Sequence, residues 1–501
     1  MRRLVFACVV AGFLFVGLTG LSSGGKPCKP VDRKIGGVRA CPPVPPPVPP
    51  PASKLVFSWY MTPFYTYSTY GASDASAIAG YRHDIQDAQA AGIDGFTLYV
   101  GGAQYMFDNV RNMLEAAKEL HDANPSTPPF WLYLGPEAAC DTCVSALEPG
   151  TNTNWIVYFM QAFASHPNYF HFQGKPVLMP FLGLRVAGGV NQQADWVNSV
   201  FTPLHNQGID VSFVPSTFNT NDVTTVNGQG QHTMTLTPWG QTNLAGLNVW
   251  TGNTPTNDIN GGNYMANVAQ LNGKPYIGGV AASHYWSVNN SPSSHVYFEH
   301  YGGEGPAQSW ANAIQNQNPA WIVETTWNDY AETYSNPAPP ATVLANGGTG
   351  YGIESLLKPH AGYTELGKYY RAWYKTGQAP IVTRDELLYF YRTHAKNLIA
   401  SNDNTVQNFN PGAPNDTVPD DLFVTTELTA PATLRVTSGG VVTTYNVAAG
   451  VQFTRIPFQA GSQTFEVIRG GSTIISTSGE PILSSIQKYN FIPTSGFAYG
   501  R

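Results

Sequence analysis

Charge is what this chain has least of. Lys and Arg number 26 and Asp and Glu 32 among 501 residues, 12% together, with a formal net charge of -6 and a pI near 6.0. Such a surface carries no basic field for a nucleic acid or an anionic membrane, and it suits a neutral, hydroxyl-rich partner such as a polysaccharide. Long apolar runs are missing as well. The longest, about residues 4–18, follows Arg2 and Arg3 and precedes small residues. It is too short for a comfortable membrane span and reads as a secretory signal over 1–25, so the expected fate is export, with no membrane contact after its removal. Cysteine is scarce, five in all, with Cys8 inside the leader. Cys28, Cys41, Cys140 and Cys143 remain, an even number in an oxidising compartment. Of their three pairings, proximity favours Cys28 with Cys41 and Cys140 with Cys143. Zinc is the competing reading for the C-x-x-C spacing of Cys140 and Cys143, but the other two cysteines have the wrong spacing for it.

Cofactor signatures are equally thin. No H-E-x-x-H occurs, and His295 and His300 read as a polar loop. The Gly-rich run 347–352 is not followed by the Lys-Ser/Thr of a P-loop. Gly20, Ser22 and Gly24 have nucleophile-elbow spacing, but they lie in the leader with no strand before them. These absences argue against a metal enzyme and leave nucleotide binding with little support.

What is present is aromatic side chains, 13% of residues, with 50 Gly and 39 Pro. The length predicts two or three folded units. After the leader, 26–53 is a Cys- and Pro-rich linker whose CPPVPPPVPPPA stretch fixes a semi-rigid polyproline II spacer. From 54 to about 380, strand-like and helix-like segments alternate. Strands are expected at 54–61, 95–100, 130–134, 175–181, 211–215, 244–250, 274–280 and 321–327. Helices are expected at 75–91, 105–122, 154–165, 192–206, 263–271, 306–315 and 363–374, and a long polar loop at 216–243. Eight strands with interleaved helices predict an α/β fold, a (β/α)8 TIM-like barrel. Past 380, short alternating segments between Gly-rich turns, such as 422–428, 441–447 and 463–469, predict a C-terminal β-sandwich over 381–501.

The chain is organised around 321–334, WIVETTWNDYAETY. An apolar, β-branched run gives way at once to Asn328, Asp329, Tyr330 and Glu332. Two carboxylates three residues apart, among rings and after a strand, are what glycosidic chemistry needs: one protonates the leaving oxygen, the other activates water or attacks. In a barrel such residues belong at the C-terminal strand ends. Asp329 and Glu332 are therefore the candidate catalytic pair. Glu137, after the third strand, is a candidate subsite ligand, as are Asn328 and the rings of Trp59, Tyr60, Trp250, Trp327 and Tyr330. Glu324, within the strand, is expected to take no part. The plain alternative is that Asp329 caps the next segment and Glu332 is a solvated loop residue.

Four stretches, VFSWYM, DIQDAQAAGIDGFTL, SHPNYFHFQGKPVLMPF and ETTWNDYAETY, make the chain similar to glycoside hydrolase family 71, the secreted α-1,3-glucanases called mutanases, from about Val56 onward. The last resembles the family's W-N-D-Y-G-E signature, with Ala331 in place of the glycine. The resemblance implies an inverting hydrolase of α-1,3-glucan, a monomer with a polysaccharide substrate and neither metal nor organic cofactor, in which Asp329 and Glu332 are the catalytic pair. Residues 274–318 follow the family pattern loosely, and an expected acidic residue is replaced near Leu184. Two other functions stay open: a barrel hydrolase of α-mannosides resembling glycoside hydrolase family 99, and a non-catalytic glycan-binding protein.

Overall fold

The first strand, Leu55–Met61, is buried along nearly its whole length and pairs in parallel on both flanks. In the computed structural model, which describes residues 54–62, 74–139, 142–183, 195–217, 244–271, 273–286, 294–329, 358–413 and 415–501, it lies mid-way in a curled, largely parallel sheet. One flank runs through Gly95–Val100, Trp131–Pro136 and Lys175–Leu178 to Ser212–Phe213. The other runs through Trp321–Thr325, Tyr276–Ala281 and Leu247–Val249 to Ser216–Thr217. Both paths thus end on the single segment 212–217. A short antiparallel ribbon, His171–Phe172 on Lys175–Pro176, makes the sheet mixed.

Helices interleave because parallel neighbours require crossovers. They are Asp74–Ala90, Gln104–Ala123, Trp155–Phe163, Pro255–Leu271, Glu304–Asn312 and Ala361–Thr376, with a π-turn Trp196–Phe201 running into the short helix Thr202–His205. The alternation read from the sequence is there, with shifted bounds. The fifth helix begins at Pro255, eight residues earlier than expected, with Pro at its N-terminus. The last parallel strand stops at Thr325 rather than Trp327. Residues 216–217, expected in the polar loop, are strand, and most of that loop, 218–243, is outside the described residues.

Strand alternation sends Phe57 and Trp59 to the inside of the curl. Phe57 meets Tyr133 and Phe170 at 4.9 Å each, and Phe170 meets Trp321 at 5.5 Å. A Cβ on Gly135 would lie 2.3 Å from the Trp59 ring, so glycine is what makes room for that indole. On the outer face Val56, Val280 and Ile322 pack with Trp310, Tyr363, Leu366 and Tyr374, and this cluster continues into Leu388, Phe390 and Phe423 of the C-terminal strands.

The C-terminal part is two four-stranded antiparallel sheets. One contains Glu386–Tyr391, Asp421–Leu428, Gly450–Pro457 and Thr494–Tyr499; the other contains Ala432–Ser438, Val441–Val447, Gly461–Arg469 and Ser472–Ile482. Alternate residues such as Leu422 and Val424, Leu434 and Val436, and Phe465 and Val467 fill one apolar cluster between them. An Asp385–Arg469 pair, 2.7 Å, ties strand ends together and holds the Asp385 carboxyl down to about 2.

Where this part meets the helix Ala361–Thr376, three carboxylates converge. Glu386 and Glu427 are register partners on adjacent strands. Glu365 of the helix accepts from Tyr499 at 2.7 Å and pairs with Lys368 at 2.6 Å, while the Arg384 guanidinium covers the Tyr499 ring. Burial first, then the like charges, pushes Glu386 up to about 8 and Glu427 up to about 7. A glutamate in the unfolded chain titrates at about 4.3, so the folded state binds more protons than the unfolded one between about pH 4.5 and pH 8. Stability contributed by these protonated groups is therefore full at acid pH and lost as pH rises through the folded values. Melting temperature should fall by several degrees from about pH 5 to about pH 8, and Glu386→Gln should flatten much of that fall. A wild-type melting temperature that holds or rises over this range would contradict it.

Candidate active site

Trp321–Thr325 supplies the route to the site. Beyond it, past a cis peptide between Thr325 and Thr326, the chain stays alongside the first strand. Trp327 N–H donates to the Trp59 carbonyl at 2.7 Å. The Asn328 amide then takes the place of a further ladder step: it accepts from Met61 N–H at 2.7 Å and donates to Met61 O at 3.3 Å. Asp329 is delivered just past this clamp, with its N–H on the Thr326 hydroxyl at 2.8 Å, only 5% exposed. It lies at the C-terminal end of the parallel strands. Glu332 and Tyr330 lie outside the described residues, as do Cys28, Cys41, Cys140 and Leu184.

Three of the expected substrate contacts are engaged inside the fold. Tyr60 neighbours Trp59 in a strand, so the two face opposite ways. Its hydroxyl donates to Asp84 at 2.7 Å, and its ring packs on Phe96 and Tyr81 in the helix layer. Trp327 is fully buried beside Phe96, 5.7 Å away, and its Nε1 has no partner among the described residues. Asn328, also fully buried, spends its amide on Met61. All three side chains are buried.

Trp59, Phe181 and Trp250 form an aromatic floor inside the curl, with Trp250 at 5.3 Å from Trp59 and 4.7 Å from Phe181. Trp59 is sealed at 1% exposure, whereas Trp250 keeps 9%. Of the pair, Trp250 is the more exposed. Glu137 stands beside this floor, after the third strand: Tyr99 Oη donates to its Oε2 and Ala139 N–H to its Oε1. Tyr99 also packs on Phe181, at 6.2 Å. Glu324 faces the other way, into a bidentate pair with Arg371.

Sequence reasoning missed the segment that follows Trp250. Thr251 Oγ1 lies 3.1 Å from Thr325 Oγ1, joining it to the strand that leads to Asp329. Asp258 accepts from Gly252 N–H at 3.0 Å and Asn253 N–H at 3.1 Å, and burial pushes its carboxyl up to about 7. His284 Nδ1 donates to the Gly252 carbonyl. That bond fixes the Nδ1–H tautomer, leaving Nε2 an acceptor, and burial holds the imidazole down to about 4, hence neutral. The Asn253-Thr254-Pro255 helix-start pattern was a legible signal for the loop; nothing marked His284.

Among the described residues, no group of three or more His, Cys, Asp or Glu stands together as a metal site, and no helix is long and apolar enough to cross a membrane.

Comparison with known proteins gives a consistent result. The family described as Glycosyl hydrolase family 71 matches residues 52–500. The chain is 27% identical to the glucan endo-1,3-alpha-glucosidase agn1 of Schizosaccharomyces pombe, over 84% of this chain and 91% of that protein. It is also 27% identical to a mutanase of Penicillium rubens, over 82% and 83%, and to the ascus wall endo-1,3-alpha-glucanase of Schizosaccharomyces pombe, over 83% and 92%. A solved structure, the GH99 endo-alpha-mannosidase from Bacteroides thetaiotaomicron, aligns with a TM-score of 0.43 at 14% identity, over 64% of this chain and 97% of that one.

Proposed function

This chain belongs to glycosyl hydrolase family 71, and we propose that it is a secreted, endo-acting hydrolase of α-1,3-glucan that works with inversion. The observation that carries the reading is Asp329, a carboxylate set directly beyond the strand Trp321–Thr325, next to the first strand and within the signature stretch. The names of the three relatives support the substrate. On this reading the curled parallel sheet is a (β/α)8 barrel over 54–380, supported by the pairing of 212–217 with both ends of the path. Residues 381–501 are a β-sandwich domain, and 1–25 and 26–53 are leader and linker.

Asp329 is the base: it takes a proton from water as the oxygen attacks the anomeric carbon. Glu332 is the acid: it gives its proton to the departing glycosidic oxygen. Trp250 offers an aromatic edge to the sugar and Glu137 a hydrogen-bond acceptor at a neighbouring subsite. No metal or organic cofactor enters this scheme.

The test is incubation of the secreted protein with insoluble α-1,3-glucan, α-mannan and β-1,3-glucan, with sizing of products and NMR of the new reducing ends. Oligosaccharides from α-1,3-glucan alone, born as the β-anomer, are expected. Release from α-mannan but not from α-1,3-glucan would overturn the substrate; an α-anomer first would overturn inversion.

A further inference from the structure

The mouth of the sheet is held from outside itself. A hairpin missed in the sequence, His284–Trp286 antiparallel to Val296–Phe298, rises from the C-terminal end of the strand Tyr276–Ala281. Its second strand, Ser294–Phe298, pairs in parallel with Val406–Phe409, a segment more than a hundred residues later in the chain. Asn410 locks the junction. Its N–H donates to the Tyr297 carbonyl at 2.8 Å, its Oδ1 accepts from Glu299 N–H at 2.8 Å, and its Nδ2 donates to Asp416 O at 2.9 Å, all from a left-handed backbone with φ 45°. Tyr285 and Tyr297 of the hairpin pack on Phe491 at 5.9 and 5.8 Å, and the Arg392 guanidinium lies 5.7 Å from the Tyr297 ring.

At the same end, opposite Phe298 and so between the two residues that Asn410 binds, the hairpin carries His284, whose ring rests on Phe298 at 5.1 Å while Nδ1 holds the Gly252 carbonyl. Gly252 is two residues from Trp250. Gly252 has φ 138°, a backbone that side chains rarely adopt, and a Cβ there would lie 3.0 Å from His284 Nδ1, so glycine suits the close approach. We propose that the C-terminal strands act as part of the substrate site: Asn410 positions the hairpin, and His284 on that hairpin positions the Trp250–Gly252 segment on which the sugar rests. The proposal rests on reading that mouth as the glucan site.

Asn410→Gly tolerates the left-handed backbone but removes both side-chain bonds, and Asn410→Asp keeps the acceptor for Glu299 N–H. In the full chain, Asn410→Gly is expected to raise KM for α-1,3-gluco-oligosaccharides about tenfold with kcat within about threefold, and Asn410→Asp to recover most of the loss. Hydrogen exchange of the amides at 250–254 and 284–286 should quicken in Asn410→Gly and not in Asn410→Asp. Ile475→Val, in the apolar cluster between the C-terminal sheets, should lower the melting temperature with KM and those amides unchanged. Unchanged KM and exchange in Asn410→Gly, or an equal rise of KM in Ile475→Val, would overturn the proposal. If the wild type fails to cleave the glucan, the functional reading falls, while the exchange arm still decides whether Asn410 governs the mouth.

Discussion

Replacing Asp329 by asparagine is expected to lower turnover by at least about a hundredfold while binding of α-1,3-glucan persists. The amide keeps the size of the side chain and can still hydrogen-bond, so a buried position, 5% exposed and fixed by the Thr326 hydroxyl, should accept it without rearrangement. What it loses is the capacity to take a proton. Glu332→Gln is expected to act the same way, most strongly on substrates with poor leaving groups, because the departing sugar oxygen would then leave unprotonated. The two variants are measured for kcat and KM on soluble oligosaccharides and for retention on insoluble glucan. Glu137→Gln is the comparator: Glu137 accepts from Tyr99 and Ala139 and is proposed to line a subsite, so its amide should act chiefly on KM. Near-normal turnover in both Asp329→Asn and Glu332→Gln, with a dead Glu137→Gln, would show that the catalytic assignment is wrong although the family is right.

The parts of this molecule that were legible in the sequence are those with a local physical cause. Apolar β-branched runs bounded by Gly and Pro marked the parallel strands, and the abrupt switch from WIVETTW to NDYAE marked the end of one of them. What was illegible depends on partners far away in the chain. Asn328 reads as a substrate ligand beside two carboxylates, yet its amide is used on the backbone of Met61, 267 residues earlier. Trp59 and Tyr60 both read as rings for a sugar, but adjacent strand residues cannot share a face, and alternation alone would have removed one of them. Trp327 was read as the last residue of a strand; it lies beyond the strand and packs outward on Phe96. The hairpin from His284 had no local signature because its stabilising partner, Val406–Phe409, arrives only after the last helix of the α/β part.

Removal of Arg371 is expected to produce the largest loss of stability, with chemistry left intact in the molecules that fold. Its guanidinium forms two parallel bonds to Glu324, Nε to Oε1 at 2.6 Å and Nη2 to Oε2 at 2.8 Å, with both side chains almost wholly buried. Nη1 donates further to the carbonyls of Ala91, at 2.8 Å, and Thr364, at 3.2 Å. One side chain thus joins the last parallel strand, the last helix of the α/β part and the end of its first helix. A Cβ on Gly367 would lie 2.5 Å from the guanidinium, so the helix is locally shaped around it. Arg371→Met would leave the Glu324 carboxylate buried and uncompensated, at about 3–5 kcal/mol, which in a folded unit this large lowers the melting temperature by roughly 3–7 °C. Lysine should not rescue it, because an ammonium cannot span both carboxylate oxygens and the two carbonyls. The double variant Glu324→Leu with Arg371→Met should be more stable than Arg371→Met alone, since the cost lies in the stranded charge rather than in the absent pair. Denaturant melts of the three variants measure this, with kcat on the folded fraction as the second readout. A double variant less stable than the single one would mean that the pair itself is strongly net stabilising, and a kcat lost along with stability would place Glu324 in the chemistry from which its orientation here excludes it.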